Sequence, residues 1–141
     1  MENDTARELV IEAQLDNLPK LNGFVEEMLA PLLPSMKVQM QLELAVEEIF
    51  VNIVNYAYGE GTGKVVVQAK TKGGPRSIEL LFQDEGVPYN PLEREEPDPE
   101  QSLEERGIGG WGIFLVKKNV DEVTYAYTQK KNNLTIRKNI F

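Results

Sequence analysis

The sequence predicts an α+β fold, a two-layer sandwich in which helices cover one face of a mostly antiparallel sheet. Two long stretches, Leu18–Leu32 and Leu42–Tyr58, carry apolar residues at helical spacing. Two pairs of β-rich runs are each joined by a turn-forming segment, which makes antiparallel hairpins. The coarse order is strand, two helices, two strands, loop, helix, two strands, and that order folds into two layers.

Taken from the start, Leu9, Ile11 and Ala13 alternate with Val10, Glu12 and Gln14 as a short strand. Asn17 then stands as an N-cap, with Pro19 in the first turn of a helix. Leu18, Leu21, Val25, Met28, Leu29 and Leu32 make its core stripe, and Pro31 and Pro34 end it. The second helix gathers Leu42, Val46, Ile49, Phe50, Ile53 and Ala57 on one side. Val51, Val54 and Tyr58 fall roughly opposite, so burial on two flanks is expected. The helix stops at Gly59, with Gly61 and Gly63 in the next turn. Lys64–Lys70 and Arg76–Gln83 form a hairpin through Lys72-Gly73-Gly74-Pro75. Val123–Thr128 and Leu134–Ile140 form another around Gln129–Asn133. With no repeat and no internal linker, residues 1–141 are expected to be one domain, a length ample for a single core.

Composition narrows the chemistry. Hydrophobic residues make up 41% of the chain without any apolar run of membrane length, so a soluble protein is expected. The opening MENDTARELV has no apolar core of a secretory signal, and there is no cysteine, which together fit the cytoplasm. A net charge of −8 argues against general binding to nucleic acid or anionic membrane. Histidine is also absent, which removes imidazole bases and ligands and leaves acid–base work chiefly to carboxylates.

Four polar features remain. Glu48, Asn52 and Asn55 form a narrow stripe on the second helix, where polar groups are costly unless partnered. They are either satisfied core groups or the floor of a polar cavity. Asp84-Glu85-Gly86-Val87-Pro88-Tyr89-Asn90-Pro91 leaves the end of a strand. It is either a plain turn or a site where Asp84 accepts from an amino group and Gly86 lets a flat ring approach the backbone. Leu92–Arg106, with seven acids and two arginines, reads as a loop, either a solvated face or a ligand-gated lid. Last, Gly107-Ile108-Gly109-Gly110-Trp111-Gly112 leads into an apolar helix and presents bare N–H groups to an anion. Its spacing matches G-x-G-x-x-G, but no strand precedes it and no βαβ unit surrounds it. A phosphate loop of the Walker type fails too, because Gly61-Thr62-Gly63-Lys64 is followed by valine and enters a strand.

In this order, Glu48-x-x-x-Asn52, Asp84-x-Gly86-x-Pro88 and Gly107-x-Gly109-Gly110-x-Gly112 resemble the ATP-binding (Bergerat) fold of gyrase, sensor histidine kinases and related ATPases. Within that superfamily the chain looks like the anti-sigma factor serine/threonine kinases of bacterial partner-switching systems, as Asn55-Tyr56-Ala57-Tyr58 and the single-domain length suggest. The resemblance implies Asn52 as the Mg²⁺ ligand and Glu48 as the general base; Glu47 is the rival, but it lies about 100° round the helix beside Val51 and Val54. It implies Asp84, Gly86 and Val87 at the adenine, Gly107, Gly109, Gly110 and Gly112 around the phosphates, and Thr135 on a strand touching the nucleotide. Arg106 is a candidate for neutralising phosphate charge. It further implies ATP and Mg²⁺ as cofactors, an anti-sigma factor antagonist as substrate, a sigma factor as the sequestered partner, and a homodimer. Tyr56 departs from the family pattern, which often has histidine there. Two other readings stand beside the kinase. One is a partner-switch module that binds ATP without transferring phosphate. The other is the catalytic domain of a histidine kinase, disfavoured because the chain lacks histidine and a dimerisation helix pair.

Overall fold

A computed structural model describes residues 4–59, 61–93 and 112–140. Five strands, β1 (Thr5–Glu12), β2 (Lys64–Gly73), β3 (Arg76–Asp84), β4 (Glu122–Thr128) and β5 (Lys131–Asn139), form one sheet. All pairings are antiparallel, in the order β1-β2-β3-β5-β4. Among the described residues three α-helices, α1 (Leu18–Leu29), α2 (Met36–Tyr56) and α3 (Gly112–Asn119), pack on one face. The two-layer α+β sandwich expected from the sequence is thus the fold.

The core lies between the layers, and strand alternation builds it. Val65, Val67 and Ala69 of β2, Ile78, Leu80 and Phe82 of β3, and Leu134 and Ile136 of β5 are all buried. Pairing sets Phe82 between Val67 and Leu134, so these side chains form rows under the helices. Leu21 and Val25 of α1 and Leu42, Val46, Ile49 and Phe50 of α2 close the core from above. Each such side chain contributes about 1.5–3 kcal/mol by burial.

Several elements differ from expectation. β1 runs from Thr5 to Glu12 and stops short of Ala13 and Gln14. Asn17 does not cap α1 with its side chain, whose Nδ2 instead donates to Glu12 O at 2.9 Å. α2 begins six residues before Leu42, at Met36, where Ser35 Oγ accepts from Val38 N at 3.2 Å as an N-cap. Those first turns carry exposed Met36 and Met40, and of their residues Val38, buried four positions before Leu42, continues the core stripe. The second flank of α2 is only half-buried, Val54 and Tyr58 packing at the margin of the core. The β4–β5 turn is also tighter than Gln129–Asn133. Gln129 and Lys130 both have positive φ, 55° and 62°, as a two-residue hairpin turn demands, so β5 starts at Lys131. This moves Asn132 and Asn133 from turn to strand.

The earlier start of β5 positions the site. Asn132 falls in phase with inward-facing Leu134 and Ile136, and Asp84 in phase with Leu80 and Phe82. The two are cross-strand partners at one end of the sheet, and both are buried.

Candidate functional site

The C-terminal half of α2 supplies the first group. Glu48 and Asn52 are half-buried one turn apart, whereas Glu47 and Asn55 are exposed. Burial, followed by the charge of Glu47, raises the Glu48 carboxyl above its ordinary pKa. α3 packs against α2 and brings Gly112, its first residue, to this spot. A methyl group on Gly112 would lie 3.3 Å from Glu48 Oε2 and 3.9 Å from Asn52 Oδ1. A carboxylate and an amide oxygen therefore stand together at a helix N-terminus, where the partial positive charge of the helix is focused.

The second group is at the exit of β3. Asp84 Oδ1 accepts from Gly86 N and from Asn132 Nδ2, both at 2.9 Å. No hydrogen bond to Oδ2 comes from the described residues. Burial raises the Asp84 carboxyl above its ordinary pKa, and the two hydrogen bonds oppose that rise. Tyr58 anchors the segment by donating to Lys64 O at 2.6 Å and accepting from Glu85 N at 2.9 Å. Val87 N donates to Ala57 O at 2.8 Å, tying the loop to the end of α2.

This contact gives Gly86 a different reason from the one the sequence suggested. A Cβ at Gly86 would sit 2.1 Å from Ala57 O and 2.6 Å from Ala57 Cα. The close approach is made by the backbone after α2, which no side-chain movement can relieve. Gly86→Ala is expected to destabilise by about 1–3 kcal/mol through overpacking, visible as a lower melting temperature without any ligand.

Asp84→Asn should behave in the opposite way. An asparagine Oδ1 can keep both hydrogen bonds while removing the buried charge. Because the folded pKa is raised, the carboxyl's contribution is fully present below its unfolded pKa and is lost as pH rises through the folded value. Asp84→Asn is therefore expected to melt no lower than wild type at neutral pH. Its advantage should shrink on acidification into the ordinary carboxylate range, as melting curves across pH would report.

Between these groups lies a partly open cleft. Ile49, Ile53, Phe82 and Leu134 give it apolar walls, while Asn52, Asp84 and Asn132 supply polar groups. Tyr56 stacks on Tyr89 with ring centres 5.6 Å apart and planes inclined by 27°, and both line the cleft with Tyr125. Apolar walls with a few converging polar groups suit a flat, largely aromatic ligand that carries an amino group for Asp84.

Of the residues expected from the sequence, Asn52, Asp84 and Val87 line this cleft. Gly86 supports it from behind, and Glu48 with Gly112 stands one helical turn beyond Asn52. Gly107, Gly109, Gly110 and Arg106, and most of the Leu92–Arg106 segment, lie outside the described residues. Thr135 is a correction. It pairs with Leu81 and Thr124 and alternates with inward-facing Leu134 and Ile136, so it lies on the opposite face of the sheet. Asn55 is likewise outside the site. Asn132, Tyr89 and Tyr125 were missed, and the phase of Leu134 and Ile136 carried back to 132 would have found Asn132.

The fold and the cleft define a class, the nucleotide-binding ATPase domain built as a helix layer on an antiparallel sheet. The chain belongs to the histidine kinase-like ATPase domain family, whose match covers residues 11–138. The resemblance drawn from the ordered motifs is thereby borne out. The serine/threonine-protein kinase BtrW of Bordetella bronchiseptica is 26% identical over 102 residues, 72% of this chain and 71% of that protein. The crystal structure of the RsbU and RsbW domains of a Mycobacterium tuberculosis protein shares the fold. It has a TM-score of 0.67 and 15% identity over 96% of this chain, which spans 32% of that longer chain. No helix among the described residues is long and apolar enough to cross a membrane.

Proposed function

We propose that this chain is an ATP- and Mg²⁺-dependent serine/threonine kinase that phosphorylates an anti-sigma factor antagonist and, in its other state, holds a sigma factor. The observation that carries the reading is the pairing of Glu48 with Asn52 against Gly112, one turn from the cleft that holds Asp84. Asp84 Oδ2 is suited to accept from the adenine amino group, and the apolar and tyrosine walls to enclose the ring.

The residues present fit Mg²⁺. Asn52 Oδ1 is a hard donor beside Glu48 Oε2. Mg²⁺ characteristically takes one or two protein groups and completes its shell with water and phosphates. Bound at Asn52, the ion would neutralise phosphate charge. Glu48, with its raised proton affinity, takes the proton from the attacking serine or threonine hydroxyl. Phosphoryl transfer is mostly positioning and charge stabilisation, so few residues suffice.

The kinase named for the Bordetella relative and the fold shared with the RsbW-containing structure support this reading. With it come the homodimer, the cytoplasmic setting, a single domain over 1–141, and the service of Leu92–Arg106 as the lid. Incubating the purified chain with labelled ATP, Mg²⁺ and candidate antagonist proteins tests it, and serine or threonine phosphorylation of one antagonist is expected. ATP with Mg²⁺ should also stabilise the fold, by about 2.7 kcal/mol at a hundredfold excess over Kd. Stabilisation without transfer to any antagonist would reject the kinase in favour of an ATP-binding module.

A further inference from the structure

Asn132 has an unusually complete set of partners. Its Nδ2 donates to Asp84 Oδ1 at 2.9 Å and to Val87 O at 2.9 Å, with Gly86 O at 3.4 Å. Its Oδ1 accepts from Tyr89 N at 3.1 Å and from the Tyr125 hydroxyl. Two donors and two acceptors are thus used, at a side chain only 6% exposed. The backbone decides which way round the amide sits. Tyr89 N can only donate and Val87 O can only accept, so the Asn132 oxygen must face Tyr89 and its nitrogen Val87.

This has a consequence for Asp84. Its Oδ1 faces two N–H donors, from Asn132 and Gly86, and must stay a bare acceptor. Any proton on Asp84 can then only sit on Oδ2. An ionised Asp84 offers an acceptor from that oxygen, and a protonated one offers a donor. Tyr58 and Tyr125 face Asp84 from α2's end and β4, Glu85 follows it in the chain, and Lys64 and Lys131 line a neighbouring cavity that Asp84 also borders.

We propose that Asn132 is the residue that sets nucleobase specificity, by holding Asp84 with one oxygen saturated and the other presented as an acceptor to an exocyclic amino group. This rests on the ATP-binding reading given above. Asn132 is a positioning residue here, because it acts on the base through Asp84 and through the loop that carries Val87 and Tyr89.

The test compares ATP with GTP and with purine riboside triphosphate, which lacks the amino group, by equilibrium binding with Mg²⁺. Wild type should prefer ATP. Asn132→Leu keeps the volume but removes all the hydrogen bonds, and should lose roughly ten- to a hundredfold of that preference, the value of a hydrogen bond to a charged group. The affinity for purine riboside triphosphate should change much less. Asn132→Thr is the second variant, smaller and able to donate a hydroxyl to Asp84 Oδ1, and should recover part of the preference. A merely structural role would weaken all three nucleotides alike and leave the ratios unmoved, which overturns the proposal. If Asn132→Leu does not fold, the ratios in Asn132→Thr decide, and a preference equal to that of Asn132→Ala overturns it. Failure of the wild type to bind any adenine nucleotide would overturn the ATP-binding reading itself. An unchanged preference in the variants with a discriminating wild type overturns only the role of Asn132.

Discussion

Glu48→Gln is expected to keep ATP binding and to lose phosphate transfer by about 10²–10⁴-fold, the usual value of a general base. The glutamine preserves shape and hydrogen-bonding reach beside Asn52 and Gly112 but cannot take the hydroxyl proton. Burial, followed by the charge of Glu47, raises the proton affinity of Glu48, the direction that favours a base. Because the group does not line the cleft, the melting-temperature shift with ATP should survive the change. Single-turnover transfer to the antagonist should collapse while Kd for ATP stays within a few-fold. Glu47→Gln serves as the companion measurement. Glu47 is exposed and lies about 100° around the helix, so its removal should leave transfer near the wild-type level. Loss of transfer in Glu47→Gln with retention in Glu48→Gln would reverse the assignment. Asn52→Ala should instead lose Mg²⁺-dependent binding and transfer together.

Asp84→Asn is expected to weaken ATP binding by roughly a hundredfold, at the upper end for a hydrogen bond to a charged group. Both hydrogen bonds to Oδ1 survive in the variant, so the side chain keeps its orientation. What changes is the atom at the Oδ2 position, which becomes an NH₂ aimed at another amino group. Donor would then face donor in a buried site, where an unmade hydrogen bond is expensive. Calorimetry should show the loss of affinity while the unliganded protein melts at least as high as wild type. That combination separates a binding role from a folding role, since a structural aspartate would lose both. GTP stabilising the wild type as well as ATP does would remove Asp84 as the reader of the base.

The layers of the fold were legible because they depend on local patterns. Leu21, Val25 and Met28 recur at helical spacing, and Val65, Val67 and Ala69 at strand spacing, and both sets are buried. Glu48, Asn52 and Asp84 were legible for another reason. A carboxylate or amide among apolar residues at those spacings needs a partner or a ligand. The first turns of α2 were left out although Val38 continues the Leu42 stripe, because exposed Met36 and Met40 dilute that pattern around the Ser35 cap. Thr135 was misplaced by family analogy. One position along a strand reverses the face, and the alternation around Leu134 and Ile136 decides against it.

The sequence by itself determined the α+β class and the pairing of strands by hairpins, and it singled out Glu48, Asn52 and Asp84 as polar groups among apolar neighbours. Each of these depends on residues near one another in the chain. Only the tertiary structure decided what meets across the chain. It set Asp84 opposite Asn132, 48 residues away, because two strands end in register at one edge of the cleft. It brought Gly112 against Glu48 and Asn52 because α3 packs on α2. It also gave Gly86 its reason, the backbone of Ala57 only 2.1 Å from where a Cβ would lie. Contacts of this kind depend on packing between distant elements, and periodicity along a single segment carries no record of them.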